Sequence, residues 1–303
     1  MPAAEALAEA GRRLRREVEQ VEISSNEDLA AAIDAAPGSF DLIFPSDYLV
    51  ERLSSADALV ELDHSRLPVE RLERWALECP HDPACRWSIP FAFGTTGILA
   101  SREFRSTSWR ELLEHAGPVA MLDEVREVYG AALIAVGTSP NDLDDESLDA
   151  AEALLRAQLP RIVGFDSDDF VQPVASGQAI AGQAWSGPGS KAVRDHAGLR
   201  YLVPDEGAVL WVTTAAIPVD SPDIERATRL VAELMDPDLA ALTTARNGYA
   251  TANRLARESL PPELRDDPGL FPDEETRSRC FALEDRGEEE LRLVARWEAL
   301  KPG

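Results

Sequence analysis

The stretch Phe40-Asp41-Leu42-Ile43-Phe44-Pro45-Ser46-Asp47-Tyr48-Leu49-Val50-Glu51-Arg52-Leu53 joins a short apolar run to an amphipathic one. Residues 40–44 predict a β-strand that ends at Pro45, because proline has no N–H group for a strand ladder. Ser46 is a residue type that begins helices, so residues 47–53 are predicted to be helical. A strand followed directly by a helix is the unit from which α/β folds are built.

The same alternation of strand and helix continues along the chain. Residues 118–122 predict a strand that leads into a helix at 123–129, whose acidic first turn suits the helix dipole. Two further strands are predicted at 179–185 and 208–217. Ser221-Pro222 is expected to open a helix with apolar positions 224, 227, 231 and 234, interrupted by Asp236-Pro237, and Gly248 to end the next helix. The sequence therefore predicts an α/β fold.

Composition and charge limit the classes of function. The chain has 303 residues, of which 45% are hydrophobic, and 30 Lys and Arg against 55 Asp and Glu give a net charge of −25. This length suits two packed lobes, and no apolar run is long enough to cross a membrane. A nucleic-acid partner is not expected because such binding needs a basic face. The acidity suits a small cationic ligand or serves solubility.

The three cysteines do not form a disulfide framework. Cys79 and Cys85 flank a short loop that contains His81, whereas Cys280 lies far along the chain. The spacing matches no common zinc motif, so no metal site is predicted. The loop cysteines remain open to two interpretations, a local disulfide in an exported protein or unreacted thiols.

Ligands of α/β folds bind beyond the carboxyl ends of strands. The residues at those positions are aromatic, hydroxyl and carboxylate side chains without a Lys or Arg: Ser46, Asp47, Tyr48, Asp123, Glu124, Trp185, Ser186, Trp211, Thr213 and, from a helix end, Tyr249. Such a set can hold an alkylammonium ion through cation–π contacts and carboxylate pairing.

The chain begins with a segment that predicts an amphipathic helix. Residues 1–16 have no apolar core, and their positive charges follow the apolar residues. Neither feature fits a secretory signal peptide.

Eight segments occur in an order that resembles a known family. They are 45–53 (PSDYLVERL), 94–97 (GTTG), 123–129 (DEVREVY), 165–169 (FDSDD), 185–187 (WSG), 204–211 (PDEGAVLW), 216–218 (AIP) and 248–253 (GYATAN). Together they resemble the spermidine/putrescine-binding proteins of bacterial ABC importers, from about residue 12 to the C-terminus.

The resemblance implies a two-lobed, type II-like periplasmic-binding-protein fold, each lobe a mixed sheet flanked by helices, with hinge crossovers. Lobe 1 would comprise residues 1–99 and 214–257, and lobe 2 residues 100–213 and 258–303. A polyamine would be held in the cleft as the lobes close and then delivered to permease subunits with their ATPase. A periplasmic or other extracytoplasmic monomer without cofactor is expected.

The resemblance also implies ligand contacts. They fall on Ser46, Tyr48, Glu124, Glu127, Trp185, Trp211 and Tyr249, and Asp47 and Thr213 belong to the same predicted site. Glu124 and Glu127 are three residues apart, so they share one helix face and could hold one ammonium group. Considered singly, the two glutamates could also be helix-dipole partners, and the tryptophans could be core residues.

Three features depart from the family pattern, two of them at single positions. Thr213 stands where polyamine binders carry an Asp for the amine, and Asp47 is a candidate to compensate. Leu283 stands where some members have a polar amide. The family also begins with an export signal and a first strand followed by a W-x-x-Y motif, and these are not found in this sequence.

Other classes of function remain as alternatives. Ser186 lacks the glycine two positions earlier that a nucleophile elbow needs, and neither G-x-G-x-x-G nor a Walker A loop occurs. Asp123 and Glu127 could only in principle serve acid–base hydrolysis, so no catalytic residue is predicted. A ligand sensor, or a truncated or repurposed binding protein for another small amine or solute, is the alternative to a transporter component.

Overall fold

The computed structural model describes residues 2–23 and 25–301, and the outer ends of the predicted lobes, Met1 and Gly303, lie outside them. The helices are α1 Ala4–Leu14, α2 Asn26–Ala35, α3 Asp47–Ser55, α4 Arg74–Leu77, α5 Trp109–Leu113, α6 Val125–Val136, α7 Asp145–Gln158, α8 Gln172–Ala175, α9 Ser186–Asp195, α10 Ile224–Leu234, α11 Pro237–Asn247, α12 Arg254–Ser259, α13 Pro262–Arg265, α14 Glu274–Ser278 and α15 Glu288–Leu300. The strands are β1 Ser88–Ser101, β2 Val119–Met121, β3 Ile162–Phe165, β4 Ala181–Trp185, β5 Leu199–Leu202, β6 Val209–Ala216 and β7 Ala250–Thr251.

The chain divides into two compact units. The first consists of the described residues within Met1–Phe93 and Trp211–Asp266, and the second of those within Gly94–Leu210 and Asp267–Gly303. The chain therefore passes from one unit to the other three times, twice within the strands β1 and β6.

The second unit is built on a mixed sheet in the order β3-β2-β4-β1-β5. Strand β2 runs parallel to β3 and β4, whereas β1 runs antiparallel to β4 and β5. Helices α5, α6, α7 and α15 contribute Trp109, Tyr129, Leu148 and Trp297 to the largest apolar cluster of this unit. This arrangement confirms the predicted α/β fold class.

The first unit has less regular strand pairing. Strand β1 pairs with β7 at Ala92 and Phe93, and residues 40–46 contribute only isolated antiparallel bridges, Ile43 to Ala216 and Ser46 to Thr213. The predicted strand at 40–44 is thus an extended segment held at single points. Its hydrogen bonds go to β6: Ile43 exchanges both of its main-chain groups with Ala216, and Pro45 can offer only its carbonyl oxygen, to Thr214 N.

The predicted helix boundaries are confirmed in part. Helix α3 begins after Ser46, and α11 ends at Gly248, whose positive φ of 78° closes the helix. Helix α10 begins two residues later than Ser221-Pro222 suggested, because Asp223 accepts the N-cap hydrogen bond from Arg226 N. The predicted amphipathic N-terminal helix is α1, which buries Leu7 and Ala10 among residues of α10 and α11. In the described ranges, no helix has both the length and the apolar character to cross a bilayer.

Two glycines with positive φ test how tightly the second unit is packed. A Cβ atom at Gly207 (φ 100°) would lie 2.0 Å from the carbonyl oxygen of Arg279, whereas one at Gly137 (φ 91°) would meet no atom within 4 Å. Gly207→Ala should therefore lower the free energy of unfolding by about 3 kcal/mol or more, and Gly137→Ala by only about 1 kcal/mol. Urea denaturation of both variants checks this. Equal losses would show that the segment at Gly207 can move away from Arg279.

Candidate functional site

The predicted ligand residues fall into two groups, one in each unit. Glu124, Glu127 and Trp185 belong to the second unit. The first unit holds Ser46, Asp47, Tyr48, Trp211, Thr213 and Tyr249.

In the second unit the sheet sets the positions of three polar or aromatic side chains. Thr96 of β1 is paired with Trp185 of β4, and Ile98 is paired with Gln183. Because side chains alternate across a strand and paired residues lie on the same face, Thr96, Gln183 and Trp185 share one face of the sheet. With Glu127 these residues form the Glu127 group.

Helix α6 brings Glu127 to this face. The main-chain oxygen of Glu124 caps the helix by accepting from Glu127 N and Val128 N, at 3.1 and 2.9 Å. Gln183 Nε2 donates to the carbonyl oxygen of Glu127 at 2.7 Å, which ties the first turn of α6 to β4. Trp185 Nε1 donates to Glu127 Oε1 at 3.4 Å. Gln183 therefore holds the main chain of Glu127, and Trp185 contacts its carboxyl group.

Burial dominates the electrostatics of Glu127. Part of the residue remains accessible, but its Oε2 atom is shielded from solvent. Burial raises the pKa of Glu127 to about 7, Thr96 and Trp185 favour the charged form, and the nearby Glu124 disfavours it. The carboxyl group thus changes protonation near neutral pH, which is unusual for a glutamate.

The Glu127 group has an excess of hydrogen-bond acceptors. Glu127 Oε2, Gln183 Oε1 and Thr96 Oγ1 are all buried and make no hydrogen bond of normal geometry to the described residues, although Thr96 is near enough to Glu127 to favour its charged form. Buried polar atoms are nearly always satisfied. The Gln183 oxygen can only accept, and so can the Glu127 oxygens when the carboxyl group is ionised, so a donor-rich ligand would complement them.

Glu124 has different surroundings from Glu127. It is the N-cap residue of α6 and its side chain is exposed. That one ammonium is held by both carboxylates stays a prediction. Arg126, between them, pairs with Glu290 and Asn141 and so is directed to α15 and the loop before α7.

In the first unit two aromatic rings form the centre of the second group. The rings of Trp211 and Tyr249 meet edge to face, with centroids 5.1 Å apart. Both residues are half-buried, and burial raises the pKa of Tyr249 to about 12, so its hydroxyl stays protonated. Trp211 Nε1 is buried and makes no hydrogen bond to any residue that the structure describes.

Thr213 and Ser46 lie close to this pair. Thr213 is two residues after Trp211 on β6, hence on the same face, and it bridges to Ser46. Ser46 Oγ accepts from Asn26 Nδ2 at 2.5 Å, so it is held by α2 instead of capping α3 through its side chain. We call Trp211, Tyr249, Thr213 and Ser46 the Trp211 group.

Asp47 and Tyr48 are held by contacts within the first unit. Asp47 is 1% exposed, and its Oδ1 accepts from Tyr48 N at 3.0 Å. Tyr48 donates its hydroxyl to Glu27 Oε1 at 3.1 Å. Their part in ligand binding stays a prediction.

Sequence reasoning missed Thr96 and Gln183. Gln183 is an amide inside the apolar strand Ala-Gly-Gln-Ala-Trp, two residues before Trp185. This spacing places both side chains on one face, and a fully buried amide there is a sign of a specific polar partner. Across the described residues no group of three His, Cys, Asp or Glu side chains is placed to hold a metal ion.

Known proteins resemble the chain over most of its length. The family model for bacterial extracellular solute-binding proteins matches residues 3–272. Spermidine/putrescine-binding periplasmic protein 1 of Haemophilus influenzae is 33% identical over 275 residues, 88% of this chain and 76% of that protein. The spermidine/putrescine-binding periplasmic protein of Escherichia coli is 32% identical over 260 residues, 83% and 75% of the two chains.

A solved structure agrees with these sequence matches. The spermidine/putrescine ABC transporter substrate-binding protein PotD of Streptococcus pneumoniae aligns with a TM-score of 0.86 and 26% identity. The alignment covers 99% of this chain and 96% of that one.

The raised pKa of Glu127 predicts a pH-dependent stability. Because the pKa rises from 4.5 to about 7, the folded chain binds the extra proton in this range. The stabilisation is complete below about pH 4 and is lost as the pH rises through about 7. Glu127→Gln removes this titration. When the pH is raised from 5 to 8, the free energy of unfolding of the variant should therefore increase by about 1–2 kcal/mol relative to that of the unchanged chain.

Urea denaturation at both pH values measures this difference. The exposed Glu124 offers a matched control, because Glu124→Gln should keep most of the pH dependence of the unchanged chain. An identical pH dependence in Glu127→Gln and the unchanged chain would contradict the raised pKa.

Proposed function

Because the chain belongs to the bacterial extracellular solute-binding proteins, we propose that it captures a polyamine such as putrescine or spermidine and delivers it to an ABC importer. The observation that carries this proposal is the buried Glu127 carboxyl group, which lies beside an indole and two further buried oxygen atoms without hydrogen-bond partners among the residues described. Relatives named as spermidine/putrescine-binding proteins support the same ligand class.

A primary ammonium group matches the Glu127 group chemically. It has three N–H donors, and Glu127 Oε2, Gln183 Oε1 and Thr96 Oγ1 are three buried acceptors. Its positive charge would favour the carboxylate over the protonated acid and lower the pKa of Glu127 again. Binding would thus release a proton when the free protein carries one.

The Trp211 group by itself also suits an alkylammonium ligand. Aromatic faces bind methylene groups by apolar contact and ammonium groups by cation–π attraction. Trp211 and Tyr249 provide such surface, and Thr213 provides a hydroxyl group without charge. A carboxylate is absent from position 213, so we expect weaker amine binding there than an Asp would give.

The remaining parts of the proposal follow from the family. We propose an extracytoplasmic, monomeric binding protein that works with permease and ATPase subunits and has no catalytic activity or cofactor. The net charge of −25 would speed the arrival of a cationic ligand at low ionic strength.

Removal of the Glu127 charge tests the proposal. Isothermal titration with putrescine and spermidine at pH 8 should show saturable binding, and Glu127→Gln should weaken it about 10- to 100-fold because a charge-assisted hydrogen bond is lost. Glu124→Gln serves as the matched control and should change the affinity less. A folded chain that binds no amine, or that loses nothing in Glu127→Gln, would overturn the proposal.

A gain of affinity at Thr213 gives an independent test. Thr213→Asp should tighten amine binding about 10-fold or more, because it adds a carboxylate beside Trp211. Thr213→Asn has nearly the same shape without the charge and should not tighten binding. If both variants bind as the unchanged chain does, the ligand does not reach Thr213.

A further inference from the structure

The loop between α4 and β1 in the first unit folds back on itself. Two successive turns shape it: Asp82 N donates to the carbonyl oxygen of Cys79 at 3.3 Å, and Cys85 N donates to that of Asp82 at 3.0 Å. Cys79 and Cys85 stand at the two ends of this double turn. Pro80 and Pro83, within it, restrict the backbone and so limit the loop to few conformations.

The carboxylate of Asp82 fixes the far end of the loop. It is 3% exposed and accepts hydrogen bonds from the main-chain nitrogens of Arg86, Trp87 and Ser88 and from Ser88 Oγ, at 2.7 to 3.2 Å. This set of bonds holds the chain just beyond Cys85 in one place. The position of Cys85 is therefore defined by the fold.

Both loop thiols are buried. Cys79 is 6% and Cys85 is 1% exposed. Cys85 Sγ lies 3.8 Å from the carbonyl oxygen of Ala76, in the last turn of α4 and three residues before Cys79. Burial, with added effects of Asp82 and Cys79, raises the pKa of the Cys85 thiol to about 12, so the two cysteines are near enough to influence each other.

The backbone at Cys85 is in an unfavourable conformation. Ala84 and Cys85 have φ values of 65° and 54°, in the left-handed region that residues with a Cβ atom rarely adopt. Such a conformation persists only where surrounding contacts impose it. A covalent bond between the ends of the loop would supply one such constraint.

We propose that Cys79 and Cys85 form an intramolecular disulfide. The proposal rests on the proposed function in one respect only, because an exported protein would meet an oxidising compartment. The two thiols would lose two protons and two electrons as the Sγ–Sγ bond forms, and a disulfide compound, such as oxidised glutathione or an oxidoreductase, would be reduced to two thiols. Cys280 takes no part; its Sγ atom lies 3.3 Å from the carbonyl oxygen of Thr276, in α14.

Burial determines when this bond can form. The pKa of each loop thiol is raised to about 12, so the reactive thiolate is scarce in the folded reduced protein at neutral pH. Oxidation should therefore be fast while the loop is unfolded and slow once it has folded. Conversely, the finished disulfide would be shielded from reductants.

Refolding in a glutathione redox buffer tests the proposal without any need for export or amine binding. The full chain is reduced in denaturant, refolded with oxidised and reduced glutathione, denatured again with an alkylating agent, and digested for mass spectrometry. We expect a linked Cys79–Cys85 peptide and an alkylated Cys280. Alkylation or glutathione adducts at both Cys79 and Cys85, or a link to Cys280, would overturn the proposal.

Variants and melting curves complete the test. Cys280→Ser should keep the linked peptide, whereas Cys79→Ser and Cys85→Ser should each leave the other loop cysteine alkylated. The oxidised chain should melt at a higher temperature than the reduced one, because a disulfide restricts the unfolded chain. The difference should be only a few degrees, because the bond closes a short loop. Since the linkage is read directly in the unchanged chain, a variant that fails to fold does not affect the conclusion.

Discussion

The candidate site of the second unit depends on one carboxyl group that is buried in a largely apolar region. Glu127 is held between the first turn of α6 and the sheet, and its burial raises its pKa to about 7. A buried carboxylate without a cation is unfavourable, so the free protein lowers this penalty by taking up a proton. A bound ammonium would remove the need for that proton. The same group therefore links stability, pH and ligand binding.

The long strand β1 determines whether this arrangement can exist. Its register places Thr96 opposite Trp185 and Ile98 opposite Gln183. A shift by one residue would turn Thr96 to the other face of the sheet and bring Thr95 or Gly97 to the face of Glu127. All but the last residue of β1 are buried, so both of its faces pack against other parts of the protein.

The sequence was sufficient to predict the elements with clear local signals. Ser46 and Gly248 marked helix ends correctly, and the apolar run at 118–122 contains β2. Strand β1 was not predicted, because it contains Pro90 and two glycines and alternates little. Its pairing partners lie far away in the chain, and local propensity carries no information about them.

The same limit applies to the candidate site. Trp185 could be selected because it ends a strand and Glu127 because it lies in the first turn of a helix, whereas Trp211 lies inside β6. The difference between an exposed Glu124 and a shielded Glu127 depends on where α6 meets the sheet. Thr96 and Gln183 can be assigned to the candidate site only when the register of the strands is known. Likewise, the sequence spacing of Cys79 and Cys85 left their chemistry open, and the double turn is what suggests a bond.

The most direct measurement is the ¹³C chemical shift of the Glu127 carboxyl carbon as a function of pH, with and without putrescine, assigned with Glu127→Gln. The account predicts a titration near pH 7 in the free protein that moves down by more than about one pH unit when putrescine binds. A normal glutamate titration in the free protein, or a midpoint that putrescine leaves unchanged, would contradict it.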